Sequence, residues 1–136
     1  TNDQILLKVA NATKLTMNAT GQTTIVGEGG TTTTSVQQGL AKAWVSASSA
    51  AVPYDSFNIS NETDHGTGDY SFNLTNSFSD TDGYCQTSTV FTSAHGRIST
   101  RNSARDAVGI LAVESSNASE TLTDNSQNIV AHGDLA

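Results

Sequence analysis

Short runs in which apolar and polar residues alternate, each followed by a turn, constrain the fold of this chain more than any other feature. The clearest run covers residues 69–74, where Tyr70, Phe72 and Leu74 fall on one face of a strand because successive side chains point to opposite sides. The polar residues 64–68 precede it and contain the Gly and Asp that tight reversals need. The sequence therefore predicts a β-hairpin here.

Similar runs continue to the end of the chain and predict an all-β fold. From Gly39 onward we expect an antiparallel β-sandwich of about seven strands, since turn signals recur at the spacing typical of sandwiches. The predicted strands cover residues 41–46, 56–60, 69–75, 84–91, 96–101, 107–114 and 127–132. Residues 107–113 are almost wholly apolar, which indicates a central strand buried on both faces. Residues 115–126 are polar and are expected to form an exposed loop.

The large apolar residues of these strands are the predicted core. They are Trp44, Phe57, Ile59, Tyr70, Phe72, Leu74, Phe78, Tyr84, Val90, Phe91, Ile98, Val108, Ile110, Leu111 and Val113. Trp44 is the only tryptophan, and its alternating run predicts that it is buried. Cys85 is the only cysteine; we expect a buried thiol, and a single cysteine excludes an internal disulfide.

Residues 1–36 differ from the rest because they contain few large side chains. Three short strands are predicted, at residues 5–9, 14–17 and 23–26, and three such strands cannot close a core alone. The Gly/Thr-rich residues 27–35 are expected to be a linker. The phrase at residues 15–27, Leu-Thr-Met-Asn-Ala-Thr-Gly-Gln-Thr-Thr-Ile-Val-Gly, resembles the repetitive shaft or collar segments that precede fibre tips. This resemblance implies that residues 1–36 are a β-rich shaft or collar buried between the chains of a homotrimer. The sequence predicts a sandwich domain at residues 39–136.

The charge of the chain excludes several classes of partner. Its net charge is −7 with only six basic residues, so no basic surface is available for nucleic acid. Arg97, Arg101 and Arg105 form the one basic cluster, for which we expect a solvated strand edge or a contact between chains. No run of about 18 apolar residues is present, so membrane insertion is not expected.

One group of titratable residues has the composition of a site. Asp64, His65 and Asp69 could bind a divalent cation, because hard cations prefer oxygen ligands. The intervening residues 66–68, Gly-Thr-Gly, fit a hairpin turn better, with Asp accepting backbone N–H bonds. The sequence therefore favours a turn and predicts neither a metal nor a cofactor.

Catalysis is not expected either. No Gly-x-Ser-x-Gly segment is present, and the many hydroxyl and carboxyl groups single out neither a Ser-His-Asp triad nor a pair of carboxylates. The sequence therefore favours a binding or structural protein over an enzyme.

Four phrases occur in order and together form a specific pattern. They are Lys-Ala-Trp-Val at residues 42–45, Asp-Ser-Phe-Asn-Ile-Ser at 55–60, Thr-Asp-His-Gly-Thr-Gly-Asp-Tyr at 63–70, and Gly-Asp-Leu-Ala at 133–136. With them the chain resembles, over about residues 39–136, a C-terminal domain of tail-fibre-like proteins from marine and cyanobacterial bacteriophages. Residues 46–52 and His132 depart from that pattern.

The resemblance implies a structural protein on the exterior of a virion, in the tail or on the capsid. As a tail fibre or fibre tip it would bind other virion proteins and a host cell-surface receptor, for which a glycan is one option. Polar loops between the strands would contact the receptor. The candidate contact residues are Asp64, His65, Thr67, Asp80, Asp82, Asn117 and Glu120. The alternatives are a head fibre or capsid decoration protein, a glycan-degrading tailspike fragment, and a bacterial adhesin or filament subunit.

Overall fold

A computed structural model describes residues 3–27, 30, 32–91, 96–100 and 109–135 of the chain. Within these residues the regular structure is antiparallel β-sheet, apart from the single helical turn α1 (Val36–Gly39). The all-β prediction is confirmed. The chain divides into two compact units, which we call unit 1 (Thr1–Leu40) and unit 2 (Ala41–Ala136). No helix in the described part of the chain is long and apolar enough to cross a membrane.

Unit 1 is one four-stranded sheet with strands in sequence order. Its strands are β1 (Ile5–Val9), β2 (Ala12–Met17), β3 (Thr23–Val26) and β4 (Thr33–Ser35). The three predicted strands are confirmed, but the predicted linker at 27–35 is wrong in part, because β4 pairs with β3 there. Ala10 and Asn11 both have positive φ between the paired residues Val9 and Ala12, as the favoured two-residue hairpin turn requires.

The sheet of unit 1 has no core of its own. Among the described side chains of residues 3–40, not one is buried. Several large apolar side chains of the sheet are exposed instead. They are Ile5, Leu6, Leu7, Val9, Met17 and Ile25. The sequence-based expectation that these strands cannot close a core alone is confirmed.

Unit 2 contains two further four-stranded antiparallel sheets. In spatial order the first holds β10 (Arg97–Thr100), β11 (Ile110–Ser116), β8 (Asp69–Leu74) and β7 (Ile59–Gly66). The second holds β6 (Pro53–Phe57), β5 (Ala43–Ala47), β12 (Gln127–Gly133) and β9 (Tyr84–Val90). Both sheets contribute side chains to one hydrophobic core, with Tyr70, Phe72 and Leu111 from the first and Val45 and Ile129 from the second.

The described part of unit 2 has eight strands, β5–β12, where we expected about seven. The difference lies at residues 56–60, which are two strands instead of one, because the chain turns at Asn58 with φ 61°. The Asn58 side chain holds this corner: its Oδ1 accepts from Asn76 N at 2.8 Å and its Nδ2 donates to Lys42 O at 3.0 Å.

Strand β11 is central in its sheet, as its apolar sequence predicts. It pairs with β10 on one side and β8 on the other, and Leu111, Ala112 and Val113 are buried in succession. The start of the predicted strand, residues 107 and 108, lies outside the described residues.

Four expectations about burial are wrong, and they share one cause. Phe57 and Phe91 are exposed, Trp44 is half-buried outside the core, and Cys85 is exposed. On β5 the buried side chains are Ala43, Val45 and Ala47, so Trp44 faces the other way. Alternation separates two faces of a strand, but it does not say which face is covered.

Candidate functional site

The loops of unit 2 gather at two opposite ends of its sheets. At one end, here called the loop end, lie three segments: residues 48–52, the turn at 67–68, and residues 117–126. Ser115 N donates to Gly68 O at 2.7 Å, and the Tyr70 hydroxyl lies 2.9 Å from Ser49 O, which brings the three segments together. Ala41, where the chain enters unit 2, lies at the opposite end, next to residues 75–83; there Lys42 N donates to Ala131 O at 2.8 Å.

This arrangement separates the predicted contact residues into two groups. Asp64, His65, Thr67, Asn117 and Glu120 lie at the loop end, around the β7–β8 turn and after β11. Asp80 and Asp82 lie at the opposite end, where Ser79 N donates to Asp134 O at 2.8 Å. The first group thus shares one end of the unit, and the second group lies at the other end.

Of the candidate residues near the β7–β8 turn, Asp64 and His65 belong to the end of strand β7. Asp64 Oδ1 accepts a hydrogen bond from Gly66 N at 2.9 Å, which is the predicted Asx-turn contact. His65 Nε2 lies 2.6 Å from Ser71 Oγ. Asp69 belongs to β8, and no group of three His, Cys, Asp or Glu side chains among the described residues has a metal-binding arrangement. Thr67 is exposed at the tip.

Residues 117–126 form a structured loop. Asn117 Oδ1 accepts from Ser119 N at 2.9 Å and from Thr121 N at 3.2 Å, and Ser116 is bridged to Leu122. Glu120 pairs with Arg97 at 2.9 Å, but both side chains are exposed, so this ion pair contributes little to stability. Residues 115–126 were expected to be exposed; in fact Ser115, Asn125 and Ser126 are buried.

The contact that joins the loops was not predicted from the sequence. Asp124 Oδ1 accepts from Gly68 N at 2.7 Å and lies 2.7 Å from the Tyr70 hydroxyl. Burial, with this hydrogen bond to Asp124, raises the pKa of Tyr70 above its usual value. Gly68 has φ 71°, and a Cβ there would collide with Ser115 O and lie 2.8 Å from Thr123 N. The loop end is thus held by backbone and buried side-chain contacts.

A second surface with binding features lies on the β6-β5-β12-β9 sheet. One face of this sheet lines the core; the other, which we call the outer face, carries Trp44, Ser46, Phe57, Thr87, Thr89, Asn128 and Val130. The register places Phe57, Trp44, Val130 and Thr87 in one row across all four strands. Phe57 is 52% exposed, so this row presents apolar surface to solvent.

A groove runs along the outer face beside Trp44. Its volume is about 250 Å³, and Trp44 and Val130 line it together with Ser46, Thr87, Thr89 and Asn128. An aromatic pair lies at the edge of the same sheet, where the rings of Tyr54 in β6 and Phe91, the residue after β9, are 6.4 Å apart and both side chains are exposed. The sequence shows that Trp44 and Thr87 alternate with the residues that form the core, so it places them on the opposite faces of their strands. It does not show which of the two faces is exposed.

These two surfaces suit binding by hydrogen bonds and apolar contact. The loop end offers carboxylate, amide, imidazole and hydroxyl groups, and the outer face offers aromatic rings beside neutral polar groups. No protein-family model, no curated protein and no solved structure matches this chain.

Proposed function

We propose that this protein is a structural protein on the exterior of a bacteriophage virion, a tail fibre or fibre tip that attaches the particle to its host cell. The sequence pattern of residues 39–136 supports the phage assignment by resemblance. The structural observation that carries the proposal is the contrast between unit 1, with no buried described side chain, and unit 2, with its own core. A shaft that needs partner chains and a tip that does not are the two parts a fibre requires.

The exposed apolar residues of unit 1 support a homotrimer. Leu7 is 59% exposed and Val9 is 65% exposed on β1, which is an edge strand with no neighbour on its other side within the described residues. An apolar edge strand is a template for association with other chains. The partner chains can be further copies of the same protein. Three copies of the unit 1 sheet arranged around a common axis would bury these side chains.

The two sheets of unit 2 support a β-sandwich tip with its recognition surface at the loop end. This end lies opposite Ala41 within the unit, so the loops point away from the point of chain entry. Because the loops are held by Asp124 and Gly68, they would bind without a large ordering cost. Three copies of a weak contact would give firm adsorption through effective concentration.

An exchange of loop residues tests the proposal. Residues 118–120, Ala-Ser-Glu, would be replaced by Gly-Ser-Gly, which keeps Asn117 and Asp124 in place. The matched control replaces residues 79–82 at the opposite end. Purified protein with the first change should lose its ability to block phage adsorption to host cells, while the control should still block it. Blocking by both variants would contradict recognition at the loop end.

The location of the protein on the particle tests the wider assignment. Antibody against the chain, carried on gold particles, should label the tail in electron micrographs. Labelling of the capsid would assign a head fibre or decoration protein. Release of soluble sugar from host cells would favour a tailspike, and filaments without phage particles would favour a bacterial adhesin.

A further inference from the structure

We infer that the groove beside Trp44 on the outer face of the β6-β5-β12-β9 sheet is a binding site for a neutral saccharide. Its biological meaning rests on the attachment role proposed above, with the sugar as part of the host surface. The site is separate from the loop end, and its chemistry can be tested on the purified protein alone.

The first support is the position of Trp44. It is half-buried, so its ring is held by neighbours while part of it remains open to the groove. Phe57 and Val130 are its direct cross-strand neighbours and extend the apolar surface on either side. Aromatic side chains offer large, flat apolar area with a defined geometry, which suits the C–H face of a pyranose ring. At about 250 Å³ the groove is smaller than most drug-sized sites and matches one sugar ring.

The second support is the set of polar side chains that line the groove. Ser46, Thr87, Thr89 and Asn128 are all neutral, and none of these side chains makes a hydrogen bond to another described residue. Hydroxyl and amide groups can both donate and accept. A ligand rich in hydroxyl groups can use all four, because each of its own hydroxyls also donates and accepts.

The third support is charge. Among the residues that the structure describes, no Lys, Arg, Asp or Glu side chain lines the groove. The nearest acid in the register is Asp55, the cross-strand partner of Ser46, and its Oδ1 accepts a hydrogen bond from Ser56 N at 2.8 Å. An anionic sugar would find no cation among the described residues of the groove and would also approach a chain of net charge −7. The site therefore selects for neutral sugars.

A second copy of the chain fits this face less well. A protein surface pressed against it would bury four polar side chains that make no hydrogen bond to another described residue. Each buried polar group left without a hydrogen bond is costly, so an apolar partner is disfavoured. The concave shape also favours a small ligand, whose hydroxyls can satisfy those groups.

The experiment uses Trp44 as its own reporter, since the chain contains one tryptophan. Full-length protein would be titrated with maltotriose, cellotriose and triacetylchitotriose, and with sorbitol at equal osmolality as the control. We expect a saturable change of tryptophan emission with at least one trisaccharide and none with sorbitol. No saturable change with any of the three would overturn the inference.

Variants assign the binding to the groove. In calorimetry, Trp44→Ala should lower the affinity for the trisaccharide by at least an order of magnitude. Thr87→Glu should lower it to a similar extent. The latter changes an exposed residue and places a charge in the groove without disturbing the core. Tyr54→Ala, which removes an exposed aromatic side chain outside the groove, should leave binding unchanged.

Two results would overturn the site. Unchanged binding by folded Thr87→Glu would place the sugar elsewhere. If both groove variants form smaller oligomers but bind the trisaccharide as the parent does, this face is a contact between copies of the chain. If no sugar binds but antibody labels the phage tail, the saccharide site is wrong and the attachment role stands. If a sugar binds in a Trp44-dependent way but antibody labels no particle, the saccharide site stands and the proposed role in attachment is wrong.

Discussion

Units 1 and 2 are built from the same kinds of strands and turns, but only unit 2 buries its side chains. In unit 1, Leu7 is 59% exposed, and no described side chain of the sheet is buried. In unit 2, Phe72 is fully buried between two sheets. The comparison shows that local alternation is enough to form a strand, whereas a stable unit also needs a second layer that covers one face.

The turns of the two units differ in the same way. In unit 1 the β2–β3 turn is held by residues at most 16 positions away, because Asn18 Oδ1 accepts from Thr20 N and from Gln22 N and Gln37 donates to Gly21 O. In unit 2 the corresponding contacts join distant parts of the chain, such as Asp124 with Gly68. Substitutions in unit 2 should therefore change the free energy of unfolding of unit 2, whereas substitutions in unit 1 should leave it unchanged.

The largest contrast is expected between Phe72→Ala and Leu7→Ala. Removing a buried Phe side chain costs about 3–5 kcal/mol, so the free energy of unfolding of unit 2 should fall by that amount. Leu7→Ala should leave the unfolding of unit 2 unchanged and lower the mass of the assembly. Urea unfolding followed by Trp44 fluorescence, with sedimentation, measures both. Equal losses of stability in the two variants would contradict the comparison.

A smaller contrast is expected between two glycines with positive φ. Gly68→Ala should cost about 1–2 kcal/mol from the left-handed backbone and a further ~1–3 kcal/mol from overpacking against Ser115 and Thr123. Gly21 in unit 1 has φ 83° with nothing within 4 Å of a Cβ, so Gly21→Ala should show the backbone cost alone. Thermal unfolding of unit 2 should respond to the first change only.

Tyr70→Phe should cost about 1 kcal/mol by removing the hydroxyl next to Asp124. The substitution should also change the pH dependence of the free energy of unfolding. The folded protein raises the pKa of Tyr70, so folding holds the hydroxyl proton that the unfolded chain releases near pH 10. This stabilising contribution is complete below pH 10 and is lost as the pH rises beyond it. Urea unfolding from pH 8 to 11 should therefore show a smaller alkaline loss in Tyr70→Phe than in the parent.

Gln127→Met should stabilise unit 2. Gln127 is fully buried, and neither atom of its side-chain amide has a hydrogen-bond partner among the described residues. An unsatisfied buried polar group costs about 1–3 kcal/mol, and Met is of similar length, so the free energy of unfolding should rise by about 1 kcal/mol or more.

The matched change in unit 1 is Gln37→Met. The Gln37 amide accepts from Thr23 N at 3.0 Å and donates to Gly21 O at 2.9 Å, so this change should weaken the local sheet. A loss of stability in Gln127→Met, measured by denaturant unfolding, would mean that its amide has a bonding partner in solution.

The smallest effect is expected from chelation. Asp64 Oδ1 is engaged with Gly66 N, as a turn requires, so EDTA should leave the melting temperature of unit 2 unchanged. Calcium added afterwards should also have no effect. A drop in melting temperature with EDTA that calcium restores would instead assign Asp64, His65 and Asp69 to a cation site.

Most strands could be predicted because their signals are local. Alternation in residues 69–74 and the Gly-rich turn before them predicted the β7–β8 hairpin. The apolar run at 107–113 predicted a central strand, which the structure describes from Ile110 onward. The corner at Asn58 was missed, because the contacts that hold it come from Lys42 and Asn76. The anchor of the loop end was missed for the same reason, since nothing near Asp124 in the sequence indicates Gly68.

The sequence by itself determined where most strands run and where most turns lie, since both depend on alternation and on turn residues. Only the tertiary structure decided which face of β5 is covered. Tyr70, Phe72 and Leu111 of one sheet fill the interior, and the facing strand β5 supplies Ala43, Val45 and Ala47. Interiors are close-packed, so large side chains on one sheet require small ones opposite. That packing turns Trp44 outward, and with it the groove that we assign to a saccharide.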